Sequence, residues 1–481
     1  MINKSTKIGA TIGPACDSVS TLVKMSKAGM NFARLNFSHG DHKSHKKLIK
    51  NIRITEKKTG FPLAIMGDIR GPRIRLDGFG EECIKIKTGE KLEFVINKKN
   101  LKKRQISIDA PKNLLSFLKV KHIVLIDDGR IEIKILKMGK ESFVGRVVEG
   151  GNLCEHKGLN FPDSSLNIPP MSEKDRMDLE FCIKNKVDFI ALSFVKTAKD
   201  IKDARKLIKY FEKKHKINSK QPIQIIAKIE RHEAVENIDE IIEETDGIMV
   251  ARGDLGLELK SYQVPLAQKD LINKANEAAK PVIVATQMLD SMQQNKRPSR
   301  AEVSDVANAV IDHADALLLT NETAAGKHPI LVVKTMTDII CATEDSVYDD
   351  KKLEPESKRD ESIDESISEL STLLADDVGA KLILATSLSG ETGRLISHVR
   401  PQVPIMVATA DERTLRQVNL SWGVVPFILP KCKSLEELIK KSVNYIKKKK
   451  LAKKGELMIV VSGEPVGQAG HVNLIEVREV Y

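Results

Sequence analysis

Short apolar runs rich in isoleucine and valine alternate with helical patterns along most of the chain, and each run ends in polar residues. Eight such runs stand out: Lys7–Gly13, Asn31–Phe37, Leu63–Asp68, Asp188–Phe194, Ile223–Glu230, Gly247–Asp254, Pro281–Gln287 and Ala316–Asn321. Nearly continuous apolar strands are typical of parallel sheets that are covered on both faces. Eight of them with helices between predict an α/β fold built on a closed parallel (β/α)8 barrel, the TIM barrel.

The polar residues at the ends of these runs are predicted to gather at one mouth of the barrel. In a closed parallel barrel, the reactive groups lie at the C-terminal ends of the strands. The candidates are Arg34, Asn36, Ser38, Asp68, Ser193, Lys228, Glu230, Asp254 and Thr286. We therefore expect one site to which several strands contribute.

The stretch IIAKIERHEAV, residues 225–235, places two opposite charges inside a run that favours a β-strand. Lys228 and Glu230 are two residues apart, so on a strand their side chains point to the same face. A lysine offers positive charge to phosphoryl oxygens, and a carboxylate is a hard oxygen ligand for magnesium. A plain buried salt bridge is the alternative interpretation of this pair.

Between the third and fourth runs the repeat breaks, and roughly a hundred residues show period-two alternation with turn signals instead. We expect an inserted all-β domain with strands at Lys91–Asn97, Gln105–Asp109, His122–Ile126, Ile131–Leu136 and Ser142–Glu149. Asp128-Gly129 predicts a hairpin turn, which makes Asp127 and Asp128 turn residues rather than ligands. The insert leaves the barrel near Gly71-Pro72 and returns near Ile168–Pro170, so it can act as a lid that excludes water.

A third domain is predicted after a highly charged, proline-interrupted connection at Asp349–Glu365. Strand-like runs separated mostly by helical patterns predict an open α/β sheet, with strands at Lys381–Thr386, Pro404–Thr409, Gly423–Leu429, Glu456–Ser462 and Asn473–Val480. The loop SLSGETG, residues 387–393, either binds an anion through free backbone amides or only caps a helix. The predicted domain bounds are 1–70 and 168–346 for the barrel, 71–167 for the lid and 347–481 for the C-terminal domain.

The charge balance suits either nucleic acid or an anionic small substrate. Lys plus Arg exceed Asp plus Glu by 78 − 66 = 12, and the sequence pI is about 9.1. Lysine runs such as Lys447–Lys450 lie on the polar side of an amphipathic pattern at Leu435–Leu451, and only 4% of residues are aromatic. We therefore expect no nucleic-acid partner, and salt-dependent retention on DNA would support the opposite interpretation.

Cysteine spacing and apolar run length bear on the compartment. The six cysteines, with no CxxC pair and no zinc-ligand spacing, are expected to be reduced packing residues: Cys16, Cys83, Cys154, Cys182, Cys341 and Cys432. No apolar run approaches the length of a membrane span, and Met1–Gly9 carries no apolar signal segment. We expect a cytoplasmic protein with no membrane partner.

Eight sequence motifs occur in a fixed order along the chain. They are ATIGPA (10–15), NFARLNFSHG (31–40), GPxIR (71–75), KGLNFP (157–162), IIAKIERHEAV (225–235), MVARGDLG (249–256), VATQMLDSM (284–292) and SRAEVSDVANAV (299–310). One such motif would be weak support, but eight with consistent spacing are specific. By these motifs the chain resembles the pyruvate kinase family over nearly its whole length.

The resemblance implies transfer of the phosphoryl group of phosphoenolpyruvate to ADP, giving pyruvate and ATP. Glu230 and Asp254 would hold Mg²⁺, for which Mn²⁺ can substitute. Lys228 and Arg34 would stabilise the migrating phosphoryl group from opposite sides, because this chemistry needs charge neutralisation more than covalent help.

The resemblance also assigns the remaining substrate contacts. Gly253 and Asp254 would offer backbone amides to the substrate carboxylate, with the Thr286 hydroxyl beside them. Thr286 would position a proton relay to the enolate, since an unperturbed threonine is a poor acid. The residues matched to the nucleotide phosphates are Arg34, Asn36, His39, Arg75 and Lys157.

In members of the family that require potassium, the ion pocket is lined by residues matching Asn36, Ser38 and Asp68. Those members carry a threonine at the position of Ile69 and a glutamate at the position of Arg73. Because guanidinium does not deprotonate in proteins, we expect Arg73 to replace the ion's charge, so that potassium is not required. The alternative is that Arg73 faces solvent at the lid hinge.

The resemblance further implies a homotetramer and a phosphorylated allosteric activator, bound by Ser387, Ser389, Gly390 and Thr392. Glu391 lies where many relatives carry a basic residue, and a carboxylate repels a second phosphate. We therefore expect a monophosphate rather than a bisphosphate.

Two other functional classes remain as rivals. A magnesium-dependent barrel lyase or aldolase shares the Lys-x-Glu and Asp arrangement, but it does not explain the lid or the ADP contacts. A non-catalytic metabolite sensor is the other, and it is disfavoured because the whole set of expected reactive residues is intact: Arg34, Lys228, Glu230, Asp254 and Thr286.

Overall fold

The computed structural model describes residues 4–72, 74–77, 83–98, 101, 104–164, 166, 171–217, 221–349, 362–387, 389–463 and 472–481. Arg73 and the predicted return crossing at 168–170 lie outside the described residues. Among the described helices, none combines the length and the apolar character needed to cross a membrane.

The secondary structure follows the predicted order of barrel, insert, barrel and C-terminal domain. The first barrel segment contains β1 (Lys7–Thr11), α1 (Val19–Ala28), β2 (Met30–Asn36), α2 (His42–Thr59) and β3 (Ala64–Ile69). The insert contains β4 (Arg75–Leu76), β5 (Cys83–Ile86), β6 (Lys91–Ile96), β7 (Gln105–Asp109), β8 (Ile123–Ile126), β9 (Ile131–Met138), β10 (Ser142–Glu149), β11 (Gly151–Cys154) and β12 (Leu159–Asn160).

The second barrel segment contains α3 (Glu173–Lys184), β13 (Phe189–Leu192), α4 (Ala198–Lys214), β14 (Gln224–Ile229), α5 (His232–Glu236), α6 (Ile238–Glu244), β15 (Gly247–Ala251), α7 (Arg252–Glu258), α8 (Val264–Glu277), β16 (Val282–Ala285), α9 (Arg300–Ile311), β17 (Ala316–Leu319), α10 (Asn321–Ala324) and α11 (Pro329–Glu344). The C-terminal domain contains α12 (Ile363–Asp377), β18 (Ile383–Thr386), α13 (Glu391–His398), β19 (Ile405–Thr409), α14 (Glu412–Val418), β20 (Val424–Ile428), α15 (Leu435–Lys448), β21 (Leu457–Ser462) and β22 (Leu474–Glu479).

The predicted closed barrel is confirmed. Its strands pair in parallel in the order β1-β2-β3-β13-β14-β15-β16-β17, and β17 pairs with β1. Alternate strand residues face two separate cores: Met66 and Ile226 pack inside the barrel, whereas Ile65 and Ile225 pack between strands and helices. Lys228 is two residues beyond Ile226, so it faces the inside of the barrel mouth.

The insert is an all-β domain, as predicted. All five expected strands form, and they belong to a sheet of order β12-β8-β9-β10-β6-β7-β4. The sequence pattern misses β4, β5, β11 and β12, because runs of two to four residues are too short to show alternation. Asp127 and Asp128 both have φ of 55°, which confirms the predicted turn between the antiparallel strands β8 and β9.

The prediction that all six cysteines are reduced is wrong. Cys83 and Cys154 form a disulfide, and they face each other across the antiparallel pair of β5 and β11. The two residues are 71 positions apart and lie on strands that the sequence pattern does not reveal. Because disulfides are uncommon in the cytosol, the cysteines no longer support a cytoplasmic assignment.

The C-terminal domain has the predicted open α/β sheet, with the strand order β20-β19-β18-β21-β22. Its last strand, β22, runs antiparallel to β21, whereas the other pairs are parallel. The predicted connection at Asp349–Glu365 is wrong at its end, because Ser362 and Glu365 form a capping box that starts α12. Residues 350–361 of that connection lie outside the described residues.

The C-terminal domain contacts the end of the barrel opposite to the mouth. Lys7 Nζ, at the start of β1, donates a hydrogen bond of 2.7 Å to the Val424 carbonyl. The Arg400 guanidinium lies 3.1 Å from the carboxylate of Asp315, which immediately precedes β17. The three-part division matches the prediction in outline, and the bounds 1–70, 71–167, 168–346 and 347–481 stay a prediction.

Candidate active site at the barrel mouth

The structure brings most of the predicted polar residues to the C-terminal ends of the barrel strands. Each of these residues lies either near the end of a strand or in the segment that follows the strand. Arg34, Asn36, Asp68 and Lys228 belong to strands, whereas Ser38, Ser193, Glu230, Gly253, Asp254 and Thr286 follow strands. The residues nearest the centre of this site form one network of charges and hydroxyls.

Lys228 lies at the centre of the network. Its ammonium is 2.8 Å from the Glu230 carboxylate and 3.2 Å from the Asp68 carboxylate, and it donates a 2.8 Å hydrogen bond to Ser193 Oγ. The residue is only 8% exposed. Burial alone lowers the pKa of Lys228, but the charges of Asp68 and Glu230 outweigh burial and raise it, so the ammonium stays protonated at neutral pH.

Arg34 lies on the other side of Asp68. Its Nε and Nη2 atoms are each 2.6 Å from Asp68 Oδ2, and Nη1 donates to Thr11 Oγ1 at 3.0 Å. Burial alone raises the pKa of Asp68, but Arg34 and Lys228 together lower it below its usual value. One buried carboxylate therefore holds two cations at fixed positions.

Glu230 lies within the electrostatic field of a second carboxylate, that of Asp254. Glu230 Oε2 accepts a 2.9 Å hydrogen bond from the Phe194 amide, and Oε1 is paired with Lys228. Burial raises the pKa of Glu230, Lys228 opposes that rise, and the negative charge of Asp254 adds to it. Two mutually repelling carboxylates at the edge of a cationic pocket are a donor set that fits a hard divalent cation.

Thr286 adopts a backbone conformation that is rare for a β-branched residue. Its φ is 73° and that of Gln287 is 54°, so two successive residues are left-handed. The Thr286 hydroxyl accepts a 2.8 Å hydrogen bond from the Gly253 amide and donates one of 2.5 Å to the Ala285 carbonyl. Strained backbone of this kind is found most often at functional sites.

Two of the expected nucleotide contacts, Arg75 and Lys157, lie in the insert where it joins the barrel. Arg75 Nη1 donates to the His156 carbonyl at 3.1 Å, and Lys157 Nζ is 2.7 Å from Asp127. His39, in the loop after β2, donates its amide to the Asn36 carbonyl at 3.2 Å. These residues surround the mouth rather than joining the central network.

A cleft separates the insert from the barrel mouth. It is lined by Pro72, Ile74, Leu159, Asn160, Phe161, Leu166, Phe194, Lys196, Arg231 and Glu258. Phe194 connects the cleft to the network, because its amide is bonded to Glu230. On the same side, a Cβ at Gly129 would lie 3.1 Å from Leu257, so the tip of the β8–β9 hairpin reaches α7.

The expected monovalent-cation pocket of Asn36, Ser38 and Asp68 stays a prediction. Asn36 Oδ1 accepts a 3.0 Å hydrogen bond from the Ser38 amide, and Asp68 is paired with the two cations described above. The side chain of Ile69 packs in the outer core, on the opposite face from Asp68. A threonine side chain at that position would face the same core, so the inference drawn from Ile69 does not hold.

The described residues of the predicted effector loop lie at the start of α13. The Gly390 amide donates to Ser387 Oγ at 2.9 Å, and the Glu391 amide lies 3.3 Å from Ser389 Oγ. Gly390 has φ of 87°, and a Cβ there would lie 2.1 Å from Val418, so only glycine fits. Thr392 is buried at the start of the helix. The N-cap residue, Gly390, makes no side-chain capping bond, so an ordinary helix cap is not seen here, and an anion-binding role stays a prediction.

Three residues contact the network but were not assigned from the sequence. Thr11 supports Arg34, and the pair of Arg252 and Asp305 holds the loop that carries Thr286. All three belong to the ordered motifs, at ATIGPA, MVARGDLG and SRAEVSDVANAV. Their contacts join segments far apart in the chain, so motif membership is the one sequence signal that could have pointed to them.

Fold and site together define a class of protein: a (β/α)8 barrel with an inserted all-β domain and a buried cluster of charged side chains at its mouth. Comparisons with known proteins identify the family. The family model "Pyruvate kinase, barrel domain" matches residues 3–333, and "Pyruvate kinase, alpha/beta domain" matches residues 365–478.

Individual pyruvate kinases align with nearly the whole of this chain. A pyruvate kinase of Geobacillus stearothermophilus is 42% identical, with 100% of this chain and 81% of the relative aligned. A pyruvate kinase of Clostridium acetobutylicum is 37% identical, with 99% of this chain and 100% of the relative aligned. A crystal structure of a pyruvate kinase from Cryptosporidium parvum matches with a TM-score of 0.91 at 35% identity, covering 99% of this chain and 96% of that one. The chain belongs to the pyruvate kinase family and is a phosphotransferase.

Proposed function

We propose that the chain transfers the phosphoryl group of phosphoenolpyruvate to ADP at the barrel mouth, giving pyruvate and ATP. The observation that carries this proposal is the buried Lys228, held by Asp68, Ser193 and Glu230, with Arg34 on the far side of Asp68. Phosphoryl transfer needs fixed positive charge around the migrating group, and this arrangement supplies two cations that cannot drift apart. A barrel lyase or aldolase does not explain the inserted domain beside the mouth or the residues matched to the nucleotide phosphates.

Mg²⁺, with Mn²⁺ as its substitute, would be held by Glu230 and Asp254. When bound, a divalent ion supplies charge neutralisation to the phosphoryl and enolate oxygens. The donor chemistry fits, because each carboxylate lies in the field of the other and Glu230 is buried. The Phe194 amide and the Lys228 ammonium hold the Glu230 carboxylate at the edge of the pocket.

The amides of Gly253 and Asp254 would bind the substrate carboxylate at the start of α7. Thr286 Oγ1 accepts from the Gly253 amide in the structure, so an incoming carboxylate replaces that bond and releases the hydroxyl. The released hydroxyl then lies beside the enolate carbon, where Thr286 positions a proton relay rather than acting as the acid.

The nucleotide phosphates would be contacted by Arg34, Asn36, His39, Arg75 and Lys157. Lys157 is paired with Asp127 at 2.7 Å and is 41% exposed, so it can leave that partner for a phosphate when the lid closes. A homotetramer, which the family resemblance implies, and a cytoplasmic location, which the sequence analysis expects, complete the proposal.

Substitutions in the central pair test the assignment. Lys228→Met should lower turnover by about a hundred- to a thousandfold, because the ammonium acts mainly in the transition state, while the magnesium titration stays close to wild type.

Glu230→Ala should instead raise the magnesium concentration needed for half-maximal rate, because one of the two proposed protein ligands is lost. The measurement is ATP formation from phosphoenolpyruvate and ADP. Near-native turnover of Lys228→Met, or an unchanged magnesium requirement in Glu230→Ala, contradicts these roles.

Potassium independence rests on Arg73 alone, since Ile69 faces the outer core. The family resemblance implies that Arg73 lies beside the phosphoryl site, where its permanent charge would repel potassium by roughly 4 kcal/mol at 4 Å and an effective dielectric of 20. Arg73→Glu should therefore create a potassium requirement, whereas Ile69→Thr, the matched control, should leave the potassium dependence of turnover unchanged.

The potassium test is an assay with magnesium present and potassium replaced by a tetraalkylammonium salt at constant ionic strength. We expect wild-type turnover to be the same in both salts. A rise of more than about tenfold on adding potassium, equivalent to ~1.4 kcal/mol of barrier, overturns the proposal.

A phosphorylated activator would bind at Ser387, Ser389, Gly390 and Thr392 and act cooperatively. The exposed Glu391 adds a negative charge at the first turn of α13, which favours a monophosphate over a bisphosphate. We expect Glu391→Lys to shift the preference towards fructose 1,6-bisphosphate in activation titrations. Tighter activation of the wild type by the bisphosphate reverses the assignment, and no activation by any sugar phosphate or nucleotide removes the site.

A further inference from the structure

The strained segment after β16 needs something to hold it. Thr286 and Gln287 are consecutive left-handed residues, and neither is glycine. A β-branched residue populates this region rarely, so the isolated loop would relax to another conformation. Relaxation would move the Thr286 hydroxyl, which accepts from the Gly253 amide at 2.8 Å. The surrounding structure must therefore fix this backbone.

Arg252 is the side chain that does so. Its Nη2 atom donates to the Thr286 carbonyl at 2.8 Å and lies 2.9 Å from Met288 Sδ. Its Nη1 atom is 2.6 Å from Asp305 Oδ1, in α9. With 11% of its side chain exposed, Arg252 spans from the strained loop to a barrel helix.

Arg252 and Gly253, which are consecutive in the chain, thus bind different atoms of Thr286. The Arg252 guanidinium binds the Thr286 carbonyl, and the Gly253 amide binds the Thr286 hydroxyl. A lysine in place of Arg252 could reach one of these partners, but an ammonium lacks the planar fork that engages a carbonyl and a carboxylate together. The geometry is specific to arginine.

We propose that Arg252 is a positioning residue for the reaction: by binding the Thr286 carbonyl it fixes the Thr286 hydroxyl against the enolate carbon. This inference rests on the role given to Thr286 in the proposed function. It assigns Arg252 no contact with substrate, so its effect must pass through Thr286.

A double-mutant cycle of Arg252→Lys and Thr286→Ala tests the proposal. Arg252→Lys alone should lower kcat by roughly 10- to 100-fold, the size expected when a reacting group is misplaced by about 1 Å. In the Thr286→Ala background, where the hydroxyl is already gone, the same change should lower kcat by less than about twofold. Equal factors in both backgrounds show that Arg252 acts elsewhere and overturn the proposal.

The proton-transfer step gives a second readout. By microscopic reversibility, the enzyme exchanges the methyl protons of pyruvate with deuterated solvent. We expect Arg252→Lys to slow this exchange more than it slows phosphoryl transfer. A merely structural role lowers the amount of active enzyme and therefore slows both rates equally, which contradicts the proposal.

Arg205 provides a matched control. Its guanidinium also donates to a backbone carbonyl, that of Glu244 at 2.8 Å, and to a carboxylate, that of Asp246 at 2.9 Å. These partners immediately precede β15, at the end of the barrel away from the mouth. Arg205→Lys should leave kcat and KM within about twofold of wild type.

Two further outcomes are distinguishable. If Thr286→Ala alone has near-native kcat, the proposed role of Thr286 fails, and the inference about Arg252 fails with it.

If Arg252→Lys does not fold, Asp305→Asn offers a second test, because it weakens the contact with the guanidinium while Arg252 itself is retained. Asp305→Asn should lower kcat less than Arg252→Lys, and that loss should again disappear in the Thr286→Ala background. Persistence of the loss there overturns the proposal.

Discussion

Burial of charge at the barrel mouth is the constraint on which the rest of the site depends. Lys228 is 8% exposed, and an isolated ammonium at such a depth would be strongly unfavourable. Asp68 and Glu230 remove that penalty, and Asp68 also holds Arg34. Removing one partner of a buried pair typically costs about 3–5 kcal/mol, so the four groups persist as a unit. Because these charged side chains are already fixed, they need to move little when negative charge shifts on the substrate during phosphoryl transfer.

The order of neighbouring strands in the barrel assembles this unit. Asp68 belongs to β3 and Lys228 to β14, and β13 lies between them in the sheet. The lid and the helix α7 approach the same mouth, whereas the C-terminal domain contacts the opposite end through Lys7 and Asp315. The proposed effector loop at Ser387 belongs to the domain at that opposite end, so the barrel lies between this loop and the mouth.

Sequence periodicity predicted the parts of the structure that depend on local pattern. Alternation along β14 placed Lys228 and Glu230 on one face, and the structure brings them within 2.8 Å. The same alternation along β3 turns Ile69 away from Asp68, which removes the support that this position gave to potassium independence. Side-chain alternation thus predicts the pairing on β14 correctly and corrects the inference that was drawn from Ile69 on β3.

Contacts between distant short segments could not be predicted in this way. The disulfide of Cys83 and Cys154 joins strands of four residues that show no clear alternation. The grip of Arg252 on the Thr286 carbonyl depends on a left-handed backbone, for which the sequence carries no signal because neither Thr286 nor Gln287 is glycine. Such features arise from tertiary packing overriding local preference.

Turnover of Asp68→Asn measures the central claim most directly, because this carboxylate touches both cations and is assigned no role in binding substrate. With phosphoenolpyruvate, ADP and magnesium all saturating, the variant should lose about a hundredfold or more in kcat, since Arg34 and Lys228 lose the charge that fixes them. Thermal unfolding of the same sample reports whether the barrel is intact. A folded Asp68→Asn enzyme with near-native kcat would contradict the account, because the cations would then act without their shared carboxylate.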